Sequence, residues 1–167
     1  MAPSTVDVHQ LTPEQWRTFR HVRLRALSDT PRFFGTTLAQ ARQRTESDWR
    51  QALSDRSQYL ARLGGTEIGT VGGMVDPDRG GVHLISMWVA PEARGTGASD
   101  ALVRAVIDGA VSDGHTLIWL EVVEENIFAE RLYSRNGFVR TGVVCPTAPE
   151  DPRLEFEMVR RIGICGT

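Results

Sequence analysis

Pro91-Glu92-Ala93-Arg94-Gly95-Thr96-Gly97-Ala98 is the stretch that decides how this chain folds. It stands between an apolar run, Val82 to Val89, and a segment in which Ala98, Ala101, Leu102, Ala105, Val106 and Ala110 recur at helical spacing, with Asp100, Arg104 and Asp108 mostly opposite. Strand, glycine turn and helix in this order leave several backbone N–H groups pointing into one space, a geometry that binds phosphate. Glycine keeps Cβ atoms away from the anion, the helix dipole adds about 0.3–1 kcal/mol in exposed settings, and Arg94 brings a full charge. A dinucleotide fingerprint would need a third glycine where Asp100 stands, and a nucleoside-triphosphate loop would need Lys and then Ser/Thr where Ala98 and Ser99 stand. Both fit poorly.

Outward from the loop, Thr116 to Val123 reads as a second buried-type strand, so the unit is a right-handed crossover between parallel strands. A helix from about Asn126 should stop at Gly137, with strands near Phe138 to Val144 and Arg153 to Val159 beyond it. Upstream, Gly64-Gly65 joins Tyr59 to Leu63 and Ile68 to Val75 as a hairpin. Thr12-Pro13-Glu14-Gln15 carries a capping-box pattern that opens a helix running to about Leu27. Its apolar stripe holds Trp16, Phe19, Val22 and Leu27, with Arg17, Arg20 and Arg23 expected off it. After a breaker segment with Phe33 and Phe34, a second helix is expected around Glu46 to Leu53.

Composition bounds the function. At 167 residues the chain suits one domain, 1–167. A net charge of −2 without a Lys/Arg run argues against a nucleic-acid partner. No apolar stretch reaches membrane-spanning length and Met1 to Gln10 lacks a signal-peptide layout, so a cytoplasmic enzyme is the default. Cys145 and Cys165 stand apart without flanking His, which indicates free thiols and neither a disulfide framework nor a metal site.

The segment Val89 to Gly137 resembles the GNAT superfamily of N-acetyltransferases. The family's Arg/Gln-x-x-Gly-x-Gly/Ala motif is matched by Arg94, Gly95, Thr96, Gly97, Ala98 and Ser99, with Ser99 departing from the usual Gly or Ala. Leu120-Glu121-Val122, Asn126, Ala129 and Leu132-Tyr133-Ser134-Arg135-Asn136-Gly137-Phe138 extend the likeness. The resemblance implies an α/β (α+β) fold with a mixed sheet of about six to seven strands, about four flanking helices and splayed central parallel strands. It implies acetyl-CoA as co-substrate and an amine acceptor, with backbone contacts from Met87, Trp88 and Val89 and a polar contact from Asn126. A homodimer is a further expectation from the family.

By the same carry-over Tyr133 protonates the departing thiolate. Glu121, the one carboxylate of the strand Leu117 to Val123, is the first candidate for general base, with a water relay from another residue as the alternative. The amine then attacks the thioester directly and backbone N–H groups steady the oxyanion. Each role has a bland counterpart: Tyr133 as a core tyrosine, Glu121 as a strand-end carboxylate, Asn126 as a helix cap. His83 on the preceding strand reads as structural or surface rather than catalytic. Phe33, Phe34 and Trp49 fit an acceptor pocket or core packing equally well. The alternative function is a non-catalytic acyl-CoA sensor, which would keep the loop without needing Tyr133 or Glu121.

Overall fold

The computed structural model describes residues 5–163, so Cys165 lies outside the described residues. Its elements run β1 (Asp7–Gln10), α1 (Trp16–Asp29), α2 (Leu38–Arg42), α3 (Glu46–Asp55), β2 (Ser57–Leu63), β3 (Thr66–Asp76) and β4 (Gly81–Val89). There follow α4 (Ala98–Ser112), β5 (Leu117–Val123), α5 (Ile127–Arg135), β6 (Val139–Pro146) and β7 (Leu154–Arg161). Short 3-10 turns open at Pro13, Pro31 and Pro91, where proline's missing N–H leaves no helical bond unmade.

The strands make one seven-stranded mixed sheet in the order β1-β2-β3-β4-β5-β7-β6. β4 and β5 pair in parallel, with Val82 opposite Ile118 and His83 opposite Trp119. β2 is antiparallel to β1 and β3, and β7 is antiparallel to β5 and β6. The last strand therefore returns between β5 and β6. Five helices stand where about four were expected, the addition being α2.

The described residues divide into two compact units. The first runs to Met74 and takes up Ile85–Val106. Its α1 follows the Thr12 box, in which the Thr12 N–H donates to Gln15 Oε1 at 3.0 Å. Phe19, Val22, Ala26 and Leu27 are buried together with Trp49 and Leu53 of α3. Phe19 and Trp49 meet edge-on with centroids 5.4 Å apart, a contact worth about 0.5–1.5 kcal/mol beyond its area burial. Arg23 departs from the expected exposed face of α1: it is only 8% exposed. Its guanidinium lies over the Phe34 ring, so stem and planar head fill space as an apolar side chain would. α2 is too short to show helical periodicity, yet Thr37 and Gln40 cap it reciprocally, at 2.9 Å and 3.2 Å. Gly64 and Gly65, at φ +58° and +82°, supply the two positive-φ positions of the β2–β3 turn.

The second unit takes Val75–Leu84 and resumes at Ile107. In β5, Ile118, Leu120 and Val122 are buried while Trp119, Glu121 and Val123 are half-buried on the opposite face. A run that reads as buried on both sides is thus buried on one, because aromatic and β-branched side chains occupy the wetter face too. β7 repeats the pattern, with Phe156 and Met158 inward and Glu155 and Glu157 outward. α5 opens at Asn126, whose Oδ1 accepts from the Ala129 N–H at 3.1 Å, and Gly137 at φ +86° lets the chain leave it. No helix is long and apolar enough to cross a membrane among the described residues.

Gly81 allows β4 to lie against β5: a Cβ there would stand 2.5 Å from the Leu117 carbonyl oxygen. Gly81→Ala should therefore cost about 1–3 kcal/mol, as overpacking does. Gly35→Ala, where a Cβ meets nothing within 4 Å, serves as control. The check is the urea midpoint of each variant, and equal midpoints would refute the close approach.

Candidate active site

The loop after β4 has the backbone its glycines imply. Gly95 and Gly97 sit at φ +83° and +86°, and a Cβ added at either would meet nothing within 4 Å. The space beside these amides is open while their conformation disfavours any side chain. α4 starts at Ala98, and the first helical N–H groups have no intrahelical acceptor. Thr96 is exposed, with its hydroxyl turned back to donate to the Ala93 carbonyl at 2.6 Å, and Ser99 is half-buried in the first turn. The residues fit a diphosphate: open amides, a helix N-terminus, and no acidic side chain between Arg94 and Ser99. Arg94 itself contributes less than a free charge, because it binds Asp29 at 2.8 Å and the Val89 carbonyl at 3.3 Å.

Met87, Trp88 and Val89 belong to the same unit. Trp88 is only 4% exposed and donates its indole N–H to Asp29 at 2.9 Å, which leaves its backbone as the part open to a ligand role. Just ahead of them Ser86 adopts φ +56°, unusual for a residue with a Cβ and of the kind that re-aims a strand's peptide groups.

The second unit gathers titratable groups on one face. His83 Nε2 and Glu121 Oε2 are 2.6 Å apart, with side chains 26% and 28% exposed. An ionised carboxylate can only accept, so in this contact Nε2 is the donor and Nδ1 faces away from Glu121 as the other ring nitrogen. The His83 ring stacks on Trp119, with centroids 3.7 Å apart and planes 4° from parallel. Arg79 lies 4.4 Å over the same indole and reaches Glu157 at 2.7 Å and 3.4 Å. That hydrogen bond holds Glu157 below the usual carboxylate range. Burial, and then the Glu121 carboxylate, push Glu155 up, while His83 acts the other way. Glu121 stands opposite Glu157 in the β5–β7 ladder, and Cys145 Sγ is 3.9 Å from Glu155. Such a face can take a proton and hold a cation.

Tyr133 is 6% exposed and packs edge-on against Phe138 at 5.7 Å. Burial drives its phenol well above the ordinary tyrosine range, so it remains protonated at neutral pH and suits a donor rather than a base. Asn126 spends its carbonyl oxygen on the α5 cap, which leaves its amide N–H groups for other partners. Trp49 is a core residue, and Phe33, at 47% exposed, is surface.

The structure thus brings Glu121 to His83, and Arg94 through Ser99 into one loop with Met87 to Val89 in the same unit. Asp29, Ser86, Arg79, Glu155 and Glu157 carry no local signal in the sequence. Only the registers His83↔Trp119 and Glu121↔Glu157 reveal what they face.

Comparison with known proteins gives the same family from another direction. A protein-family model described as the Acetyltransferase (GNAT) family matches residues 10–138. N-acetyltransferase 8B of Rattus norvegicus is 36% identical over 101 residues, 57% of this chain and 46% of that protein. The chain spans about half the length of such relatives. Among solved structures, a GNAT-family acetyltransferase from Streptococcus pneumoniae superposes with a TM-score of 0.82 at 20% identity, covering 95% of this chain and all of the other. PaiA N-acetyltransferase from Thermoplasma acidophilum, in complex with coenzyme A, gives 0.71 at 16% identity over 95% and 99%. At these identities the structures speak for the fold, and the family model speaks for the lineage: the chain belongs to the GNAT acetyltransferase family.

Proposed function

We propose that this protein transfers an acetyl group from acetyl-CoA to a primary amine, of a small molecule or of a protein N-terminus or lysine, without itself being acylated. The observation that carries the reading is the Gly95/Gly97 turn, with its positive φ angles and open amides at the start of α4. When bound, acetyl-CoA supplies the activated acyl group. The N–H groups of Gly95, Gly97, Ala98 and Ser99 would hold its pyrophosphate, the Thr96 N–H being already bonded to the Ala93 carbonyl at 3.3 Å. Met87 to Val89 offer backbone partners to its arm, aimed by the turn at Ser86, and the Asn126 amide adds a polar contact.

The proton work falls to residues of the second unit. Glu121 fixes the His83 tautomer, and His83 Nδ1 takes the proton from the acceptor ammonium. Tyr133, held protonated by its buried setting, would be the donor of a proton to the departing thiolate when acetyl-CoA is bound. A hydrogen-bonded His83–Glu121 pair and a phenol that burial holds protonated favour catalysis over passive binding of an acyl-CoA.

Calorimetry with acetyl-CoA tests the loop. The wild type should bind, and Gly97→Glu, which sets bulk and negative charge beside the amides, should bind at least about tenfold more weakly, a difference of about 1.4 kcal/mol. Absence of wild-type binding would remove the reading altogether.

Turnover tests the proton groups, by coupling CoA release to an amine panel. His83→Gln should lower kcat/KM about 100-fold at pH 7 and less at pH 9, where more of the amine is already unprotonated, and Glu121→Gln, which keeps an acceptor for Nε2, should cost less. A loss equal at both pH values would contradict the base assignment. Tyr133→Phe should lower kcat about 100-fold with little change in acetyl-CoA KM. The wild-type rate should show no phenol ionisation below pH about 10, where an ordinary tyrosine would titrate.

A further inference from the structure

Three arginines of the first unit converge near α1 with little carboxylate to balance them. Arg23 lies within α1, Arg44 between α2 and α3, and Arg56 directly after α3. Burial, and then the charges of Arg56 and Arg44, bring Arg23 down to about 10. Burial and then Arg44 likewise lower Arg56, with only its neighbour Asp55 acting in the other direction. Such an arrangement opposes folding unless something else requires it.

Each guanidinium instead covers a ring. Arg23 lies 4.4 Å over Phe34, Arg56 lies 5.2 Å over Phe19, and Arg44 lies 5.4 Å over Trp49. Stacking satisfies a guanidinium face but leaves its in-plane N–H groups needing acceptors. Arg23 Nη1 and Arg56 Nε are buried and have no hydrogen-bond partner among the described residues. Arg23 is itself more than nine-tenths buried.

Beside them is an orphan of the opposite kind. Gln58 is fully buried and its Oε1 accepts nothing among the described residues. Its orientation is fixed, because Nε2 donates to Thr70 Oγ1 at 2.7 Å while that hydroxyl donates to the Tyr59 carbonyl at 2.8 Å. Turning the amide over would set two acceptors against each other. Gly72 lets the two side chains approach the strand closely: a Cβ there would stand 3.0 Å from both Gln58 Oε1 and Ile85 Cγ1 and 3.5 Å from Arg56 Cδ.

We propose that Arg23 and Arg56, with Arg44 beside them and Gln58 at their edge, bind a small organic carboxylate that carries a hydrogen-bond donor next to its charge, as an amino acid or a hydroxy acid does. Planar guanidinium forks match the two in-plane oxygens of a carboxylate. The Gln58 oxygen repels a further oxyanion oxygen and accepts the adjacent ammonium or hydroxyl. The carboxylate belongs either to the acceptor amine, in which case the inference rests on the acetyl-transfer reading, or to a separate effector, in which case it does not.

Calorimetry without acetyl-CoA tests the site independently of turnover, using L-alanine, L-lactate, propionate and inorganic phosphate as probes. L-alanine or L-lactate should bind, propionate and phosphate more weakly. Arg23→Met should weaken binding at least tenfold while its Tm without ligand equals or exceeds the wild-type value, because a buried unpaired charge is gone. Should that variant not fold, Arg23→Lys keeps the charge without the planar fork and should lose the same binding. The proposal is overturned if no probe binds the wild type, if phosphate binds more tightly than both acids, or if binding survives in the folded variants. Acetylation of L-phenylalanine against phenethylamine then separates the sources. Preference for the amino acid assigns the carboxylate to the acceptor, and equal rates that respond to added L-lactate assign it to an effector.

Discussion

At Gly95 and Gly97 the backbone takes φ angles of +83° and +86°, a region that side chains rarely enter, and the proposed acetyl transfer depends on that constraint. Any other residue there would cost on the order of 1 kcal/mol or more and would set a Cβ beside the amides. With glycine, the chain leaves β4, makes its 3-10 turn at Pro91, and begins α4 with donors still free for an anion. The Arg94–Asp29 pair and the Trp88–Asp29 hydrogen bond tie the loop's base to the end of α1. A single carboxylate thus anchors an arginine and a tryptophan, and Arg94 is held in an ion pair at the loop's base.

The other half of the chemistry comes from strand alternation. Every second residue of β5 and β7 turns inward to Ile118, Leu120, Phe156 and Met158, so the residues between them must share the opposite face. Register then decides the contacts. His83 lies opposite Trp119, which puts its ring on the indole and its Nε2 against the Glu121 carboxylate one row on. Among the three glutamates of this face, Arg79 holds Glu157 below the usual carboxylate range, while burial and then the Glu121 carboxylate push Glu155 up.

What the sequence made legible follows from locality. The Thr12 box, the Gly64-Gly65 turn, the Gly95/Gly97 loop, the Asn126 cap and the Gly137 stop are all written within a few residues, and each stands where its pattern puts it. α2 escaped because five residues are too few to show a period. The β5-β7-β6 order escaped because strand insertion leaves no local trace. Glu121 was legible as a lone carboxylate in an apolar strand, but its pairing with His83, 38 residues away in sequence, is fixed by sheet register alone. Arg23 was misplaced on the exposed side of α1 because helical periodicity counts an arginine as polar, while its stem and planar head pack as an apolar group.

The most direct test of the central claim is to titrate coenzyme A into isotope-labelled protein and follow its backbone amide resonances. If the Gly95/Gly97 turn is the phosphate cradle, the largest shifts fall on the amides from Gly95 to Asp100 and saturate with the ligand. If coenzyme A binds and those amides do not move, or if it fails to bind at all, the loop is only a turn and the account built on it fails.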